Sequence, residues 1–132
     1  SIFSNNESVF TFSMHCDTNF PLKKASSDLD IPLAKGTCDN DYLKTLDENL
    51  KILEKISAEI IFFQAGVDTH IKDRLGHLSI SREGLKKRND LVLSFARKRN
   101  LPIVVFMGGG YSNPIDYSVD SFVDLFVKCS EY

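Results

Sequence analysis

The chain has 132 residues, 42% hydrophobic and 26% charged, an ordinary make-up for one globular domain and too short for two. Its net charge of −2 gives no basic footprint for direct nucleic-acid binding, and no apolar run approaches the roughly 20 residues that span a bilayer. The opening residues, Ser1 to Asn6, lack the basic start and apolar stretch of a signal peptide, and no Met precedes them. A fragment boundary and a cytoplasmic location are therefore expected. Cys16, Cys38 and Cys129 form no CxxC spacing and read as reduced intracellular thiols, not as a disulfide frame or zinc cluster.

Taken in chain order, residues 9–14 (VFTFSM) are a short β-prone run. Residues 28–33 alternate polar and apolar, and Pro32 confines them to an edge strand. Residues 39–56 carry Tyr42, Leu43, Leu46, Leu50, Leu53 and Ile56 at helical spacing, with Thr37 and Asp39 as capping candidates. Residues 59–66 are continuously apolar, as in a strand buried on both faces. A helix is predicted from Ser81 to about Arg97, with Leu85, Leu91, Leu93, Phe95 and Ala96 inward, stopped by Asn100-Leu101-Pro102. Residues 103–107 are a second fully apolar strand, followed by Gly108-Gly109-Gly110. A last amphipathic helix runs from about Tyr117 to Cys129. This alternation implies an α/β fold, a parallel sheet with helical crossovers.

Open parallel sheets bind ligands at the carboxyl ends of their strands. If the strands share one sheet, Asp68 and Tyr111 emerge on the same edge. A carboxylate there suits a hard or borderline cation, and a tyrosine after three glycines sits on backbone free to take positive φ and to approach a ligand closely. Each feature also has a plainer reading. Asp at a strand end is often a turn former or cap, a glycine triplet is often only a tight turn, and a lone tyrosine is often packed. As a phosphate cradle the triplet lacks the Lys and Ser/Thr of a P-loop. His15, His70 and His77 form no HExxH-like pair. Residue types and spacing alone thus give an α/β domain with a candidate site and no reaction.

Residues 64–81, with Gly66-Val67-Asp68 and then Asp73-Arg74-Leu75-Gly76, resemble a segment of zinc-dependent histone deacetylases. The segment ending Gly108-Gly109-Gly110-Tyr111 is similar to that family's glycine-rich loop and its tyrosine. Phe12-Ser13-Met14-His15, Asn19-Phe20-Pro21, residues 27–30, Gly36-Thr37 and Asp41-Tyr42-Leu43 fit the stretches between. The likeness covers nearly the whole chain, in order, and is strongest toward the class IV branch and bacterial deacetylase-like proteins.

The resemblance implies that residues 1–132 are the C-terminal portion of one arginase/deacetylase-type three-layer α/β/α domain. It implies Asp68 as a Zn2+ ligand and Tyr111 as the phenol that polarises the acetyl carbonyl and holds the oxyanion. Phe20 would line the acetyl-lysine tunnel and Leu75 its rim, and Gly109 and Gly110 would shape the substrate loop. Ser13 and Met14 would help hold a structural K+. The family's Asp-x-His ligands and His-His acid–base pair precede the region matched and have no counterpart in this chain. One carboxylate does not make a catalytic zinc site, which takes three protein ligands and an open position. The chain alone is therefore expected to be inactive and to need the N-terminal half or self-association. The substrate implied is acetyl-lysine in a protein or peptide. The alternatives are an acetylpolyamine or other small acetylated amine, a non-catalytic binding module that has lost the histidines, or a nucleotide-binding α/β domain using the glycines.

Overall fold

The computed structural model describes residues 2–131; Ser1 and Tyr132 lie outside them. The elements alternate as the sequence predicts: β1 (Phe12–Cys16), β2 (Leu29–Leu33), α1 (Asp39–Leu53), β3 (Ile61–Gln64), α2 (Arg82–Lys98), β4 (Ile103–Phe106) and α3 (Asp116–Ser130). Both strand pairings are parallel, with Phe12 opposite Leu29 in one and Ile61 opposite Ile103 in the other.

The expectation of a single sheet does not hold among the described residues. The strands form two separate two-stranded sheets, β1 with β2 and β3 with β4. Pro32 sits opposite His15 in β2, a strand paired on one side only, where a missing N–H is tolerated.

The two apolar strands are also not buried on both faces. In β3, Ile61 and Phe63 turn inward while Phe62 and Gln64 stay exposed; β4 repeats the pattern, with Val104 and Phe106 outward. The inward faces rest on α1 and α2, through a core of Tyr42, Leu46, Leu50, Leu85 and Val92 against which Phe63 and Ile103 pack. Phe12, Met14 and Ile31 of the other sheet pack on the same core. Nothing in the described chain covers the outward face, where Phe62 is 67% exposed.

The helix ends show local chemistry. Ser81 caps α2 by accepting from Gly84 N–H at 3.0 Å. At its other end Asn100 takes φ 54°, Asn100 N–H donates to Arg97 and Leu101 N–H to Ala96, both at 3.0 Å. This is a Schellman stop with asparagine in the left-handed position, ahead of Pro102. The predicted cap of α1 is corrected. Cys38 occupies the N-cap and makes no side-chain cap bond, while Thr37 bonds back to the Ala34 carbonyl. Asp39 accepts instead from the N–H and hydroxyl of Ser81, tying the start of α1 to the start of α2. Arg82 pairs with Asp120 and Asp124, which docks α3 beside α2. No helix among the described residues is long and apolar enough to cross a membrane.

Leu85 lies at the centre of this core, whereas Leu22 is largely exposed. Leu85→Ala is expected to cost about 2–5 kcal/mol and Leu22→Ala less than about 0.5 kcal/mol, read as shifts in urea midpoint at constant slope. Equal effects at the two sites would contradict the burial pattern.

Candidate active site

β3 and β4 are neighbours, so the segments leaving their carboxyl ends lie side by side. Val67 N–H and Asp68 N–H both donate to the Gly109 carbonyl, at 2.6 and 3.1 Å. A side chain on Gly109 would overlap the Asp68 carboxylate, and one on Gly76 would overlap the Asp68 carbonyl. Asp68 is thus enclosed by two backbones that only glycine lets this close. The glycines serve close approach and not left-handed φ as anticipated: among described residues the positive-φ glycine is Gly36. Burial pushes the Asp68 carboxyl above the usual carboxylate range and the neighbouring Asp73 charge pushes it further, while a backbone hydrogen bond and Arg88 act in the opposite sense.

Tyr111 is held by its backbone. Its N–H donates to Asp73 Oδ2 at 2.6 Å, and its carbonyl accepts from Arg74 Nε at 3.3 Å. The other oxygen of Asp73 takes the N–H groups of Leu75 and Gly76, each at 2.8 Å. One carboxylate therefore fixes the segment after β3 and the position of Tyr111 together. Tyr111 as a whole is 47% exposed. Behind it, Ser112 and Ser118 join hydroxyls at 2.7 Å, which anchors the segment to the first turn of α3.

The remaining predicted positions are distributed around this edge. Leu75, 61% exposed, lies in the turn that Asp73 organises. Gly110 abuts Val67 and Phe122, leaving no room for a side chain. Phe20, 93% exposed, projects from the segment after β1, which reaches the same edge through Thr18 Oγ1 and His77 Nδ1 at 3.1 Å. Ser13 and Met14 lie within β1, and the Ser13 hydroxyl engages His15 Nδ1 at 2.9 Å. His70 is buried, stacks on Tyr117 at 5.6 Å between ring centroids, and has its pKa lowered chiefly by that burial. Among the described residues no three His, Cys, Asp or Glu side chains gather into a metal-holding group.

Sequence reading missed Asp73, Arg74 and Lys24. The first two lie inside the quoted motif, but nothing in their spacing shows that their partner is the backbone 37 or 38 positions onward. Arg74 also brings to the glycine loop, in space, the cation that sequence adjacency does not provide. Lys24 closes the segment bearing Phe20 by donating to the carbonyls of Asp17, Asn19 and Pro21. A lysine among surface residues gives no sequence signal of that kind.

Comparison with known proteins fits this geometry. Residues 1–126 match the histone deacetylase domain family. An uncharacterized protein of Picosynechococcus is 44% identical over 115 residues, covering 86% of this chain and 38% of that protein. Histone deacetylase 2 of Arabidopsis thaliana is 36% identical over 85 residues, covering 64% of this chain and 22% of its own length. The chain thus spans well under half of these relatives. The crystal structure of a histone deacetylase homolog from Aquifex aeolicus superposes with a TM-score of 0.78 at 23% identity, covering 92% of this chain and 35% of that one. That overlay shows the fold, and places the parallel strands and their helices in the arginase/deacetylase α/β architecture. The family match over nearly the whole length makes this chain a member of the histone deacetylase domain family.

Proposed function

We propose that this chain is the C-terminal portion of a zinc-dependent deacetylase domain, contributing one metal ligand, Asp68, and the oxyanion donor, Tyr111, for hydrolysis of the acetyl amide of acetyl-lysine. The observation that carries this reading is the coupling of the two segments. The Gly109 carbonyl receives the Asp68 N–H, and the Asp73 carboxylate receives the Tyr111 N–H. A carboxylate and a phenol on adjacent strand ends are thereby locked to one backbone frame.

The residues present fit zinc in part. Asp68 supplies an anionic oxygen that desolvation makes costly to leave unpaired, which suits one ligand position. With no three-residue donor group among the described residues, the other ligands of a three-ligand site would come from beyond them. The chemistry contributed by bound zinc is Lewis acidity toward the amide carbonyl and a lowered pKa for water.

This chain's own residues do the positioning. Tyr111 donates its phenolic proton to the oxygen on which charge develops at the tetrahedral stage. Such a donor helps most when its geometry is set before reaction, which is the service of Asp73 and Arg74 to the Tyr111 backbone. Leu75 and Phe20, both exposed, supply apolar surface for the methylene stem of a lysine. Proton transfer to the leaving amine falls to groups outside this chain.

In the protein expressed from its complete reading frame, Tyr111→Phe should keep full zinc content and lose about 100- to 1000-fold in turnover of an acetyl-lysine peptide. Asp68→Asn should lose zinc by elemental analysis; full occupancy in that variant would remove Asp68 from the ligand set. Asp73→Ala should lower kcat about 100-fold through displacement of Tyr111, with zinc retained. Unchanged kcat would show that the tether is dispensable.

A further inference from the structure

Among the described residues Arg88 is the one strongly basic side chain sunk into the core, 4% exposed, and neither the resemblance nor the reaction assigns it a role. It projects from the middle of α2. Nη1 donates to the Gly66 carbonyl at 2.6 Å and Nη2 to the Ala65 carbonyl at 3.3 Å. Nε and Nη2 also donate to Asn89 Oδ1, at 3.1 and 2.9 Å. The guanidinium lies over the Phe63 ring, 5.6 Å from its centroid, and interacts with the buried phenol of Tyr42.

Burying a guanidinium is unfavourable unless its donors are satisfied, and an apolar side chain would fill the same space. What Arg88 achieves that leucine or methionine cannot is specific. Asn89 fixes the plane of the guanidinium, and its remaining donors meet the last two carbonyls before Val67-Asp68. The N–H groups of that segment are already held from the other side: Ala65 N–H by Phe106, and Val67 and Asp68 N–H by Gly109. Arg88 supplies the complementary half, so the backbone entering Asp68 is gripped through donors and acceptors alike. The planar fork of arginine is needed to reach two carbonyls at once; a lysine keeps the charge and loses the fork.

We propose that Arg88 is a positioning residue for Asp68, setting the carboxylate by clamping the carbonyls of Ala65 and Gly66, with Asn89 orienting the clamp. The part of this inference that concerns metal rests on the reading of Asp68 as a zinc ligand.

The test compares Arg88→Lys and Arg88→Met with the unaltered protein, each expressed from the complete reading frame. Two readouts are taken: amide hydrogen exchange, and zinc affinity by chelator competition. Arg88→Lys should speed exchange at Val67 and Asp68 about tenfold or more while Leu46 and Leu50 in α1 hold their protection. It should also weaken zinc about 10- to 100-fold, as loss of an outer-shell support does. Arg88→Met should show the same local pattern or unfold outright, in which case the lysine variant decides. Unchanged exchange at Val67 and Asp68 in Arg88→Lys overturns the proposal. So does protection lost evenly through α1 and the Asp68 segment, which would mark Arg88 as general core. Local loosening with unchanged zinc affinity overturns the link to the ligand. An Asp68→Asn control separates the two readings: if that protein binds zinc normally, the metal assignment fails, and the exchange data alone judge the clamp.

Discussion

The carboxylate of Asp73 is the constraint on which the candidate site depends. It accepts three backbone N–H groups, those of Leu75, Gly76 and Tyr111. Hydrogen bonds to a charged acceptor contribute about 1.5–3 kcal/mol each, more than neutral ones, and these three join two segments belonging to different strands. Remove the carboxylate and Tyr111 loses the bond to its N–H, keeping the Arg74 contact to its carbonyl, the bridge between Asp73 and Ser112 and the serine pair behind it. Two residues on separate β-strand ends can act on one substrate atom only if their separation is fixed. Here the backbone bonds of Ala65, Val67 and Asp68 to Phe106 and Gly109 carry the two segments side by side past the ladder, and the Asp73 carboxylate extends the tie to Tyr111.

The long segment between β3 and α2 is correspondingly not a loose connection. At its start Val67 and Asp68 hang from Gly109. In its middle His70 bridges to Ile80, with Ile71 N–H on the Ile80 carbonyl and Ile80 N–H on that of Thr69. At its end Ser81 is both the cap of α2 and the partner of Asp39. Ser79 N–H meets the Thr37 carbonyl, and Gly36 N–H that of His77, so the segment is stitched to the one following β2. Segments of this length without regular structure are uncommon in small domains and usually functional. This one has the hydrogen-bond density of an element.

Most of the architecture was legible in the sequence because the signals were local. Helical spacing marked α1, α2 and α3 to within a few residues, and Asn100-Leu101-Pro102 marked the stop of α2. Burial on both faces was misread for β3 and β4, since a continuous apolar run reports what a strand is suited to bury, not what the chain itself provides. Phe62, Val104 and Phe106 keep that apolar character on an open face. The single sheet was likewise an inference from alternation, and alternation does not say which strands touch. At the site, Asp68 and Tyr111 were visible because strand ends are where parallel sheets bind ligands, and again through the family resemblance of the segments that carry them. Of the two reasons the glycines gave, close approach operates, toward a neighbouring backbone and carboxylate, and positive φ does not. Asp73 and Arg74 were invisible as a clamp because their partner is a main-chain group, which has no letter in the sequence.

The two aspartates of this segment show how identical side chains are assigned different work. Asp73 has its charge dispersed over three N–H donors and is largely spoken for as a structural anion. The Asp68 carboxyl feels desolvation first and the Asp73 charge second, against weaker help from its backbone bond and Arg88. Both leading effects oppose ionisation, so Asp68 holds its proton to higher pH than an ordinary aspartate, and its anion is the less compensated of the pair. An uncompensated, half-enclosed anion gains most from a cation, because the cation offsets both the lost hydration and the neighbouring negative charge. Asp73 thereby does two things at once. Its hydrogen bonds hold Tyr111 in place, and its field raises the advantage of placing positive charge against Asp68. A carboxylate saturated with N–H donors beside one that burial and its neighbour's charge disfavour as an anion separates two tasks: Asp73 holds backbone, and Asp68 is the oxygen at which a cation would be compensated most.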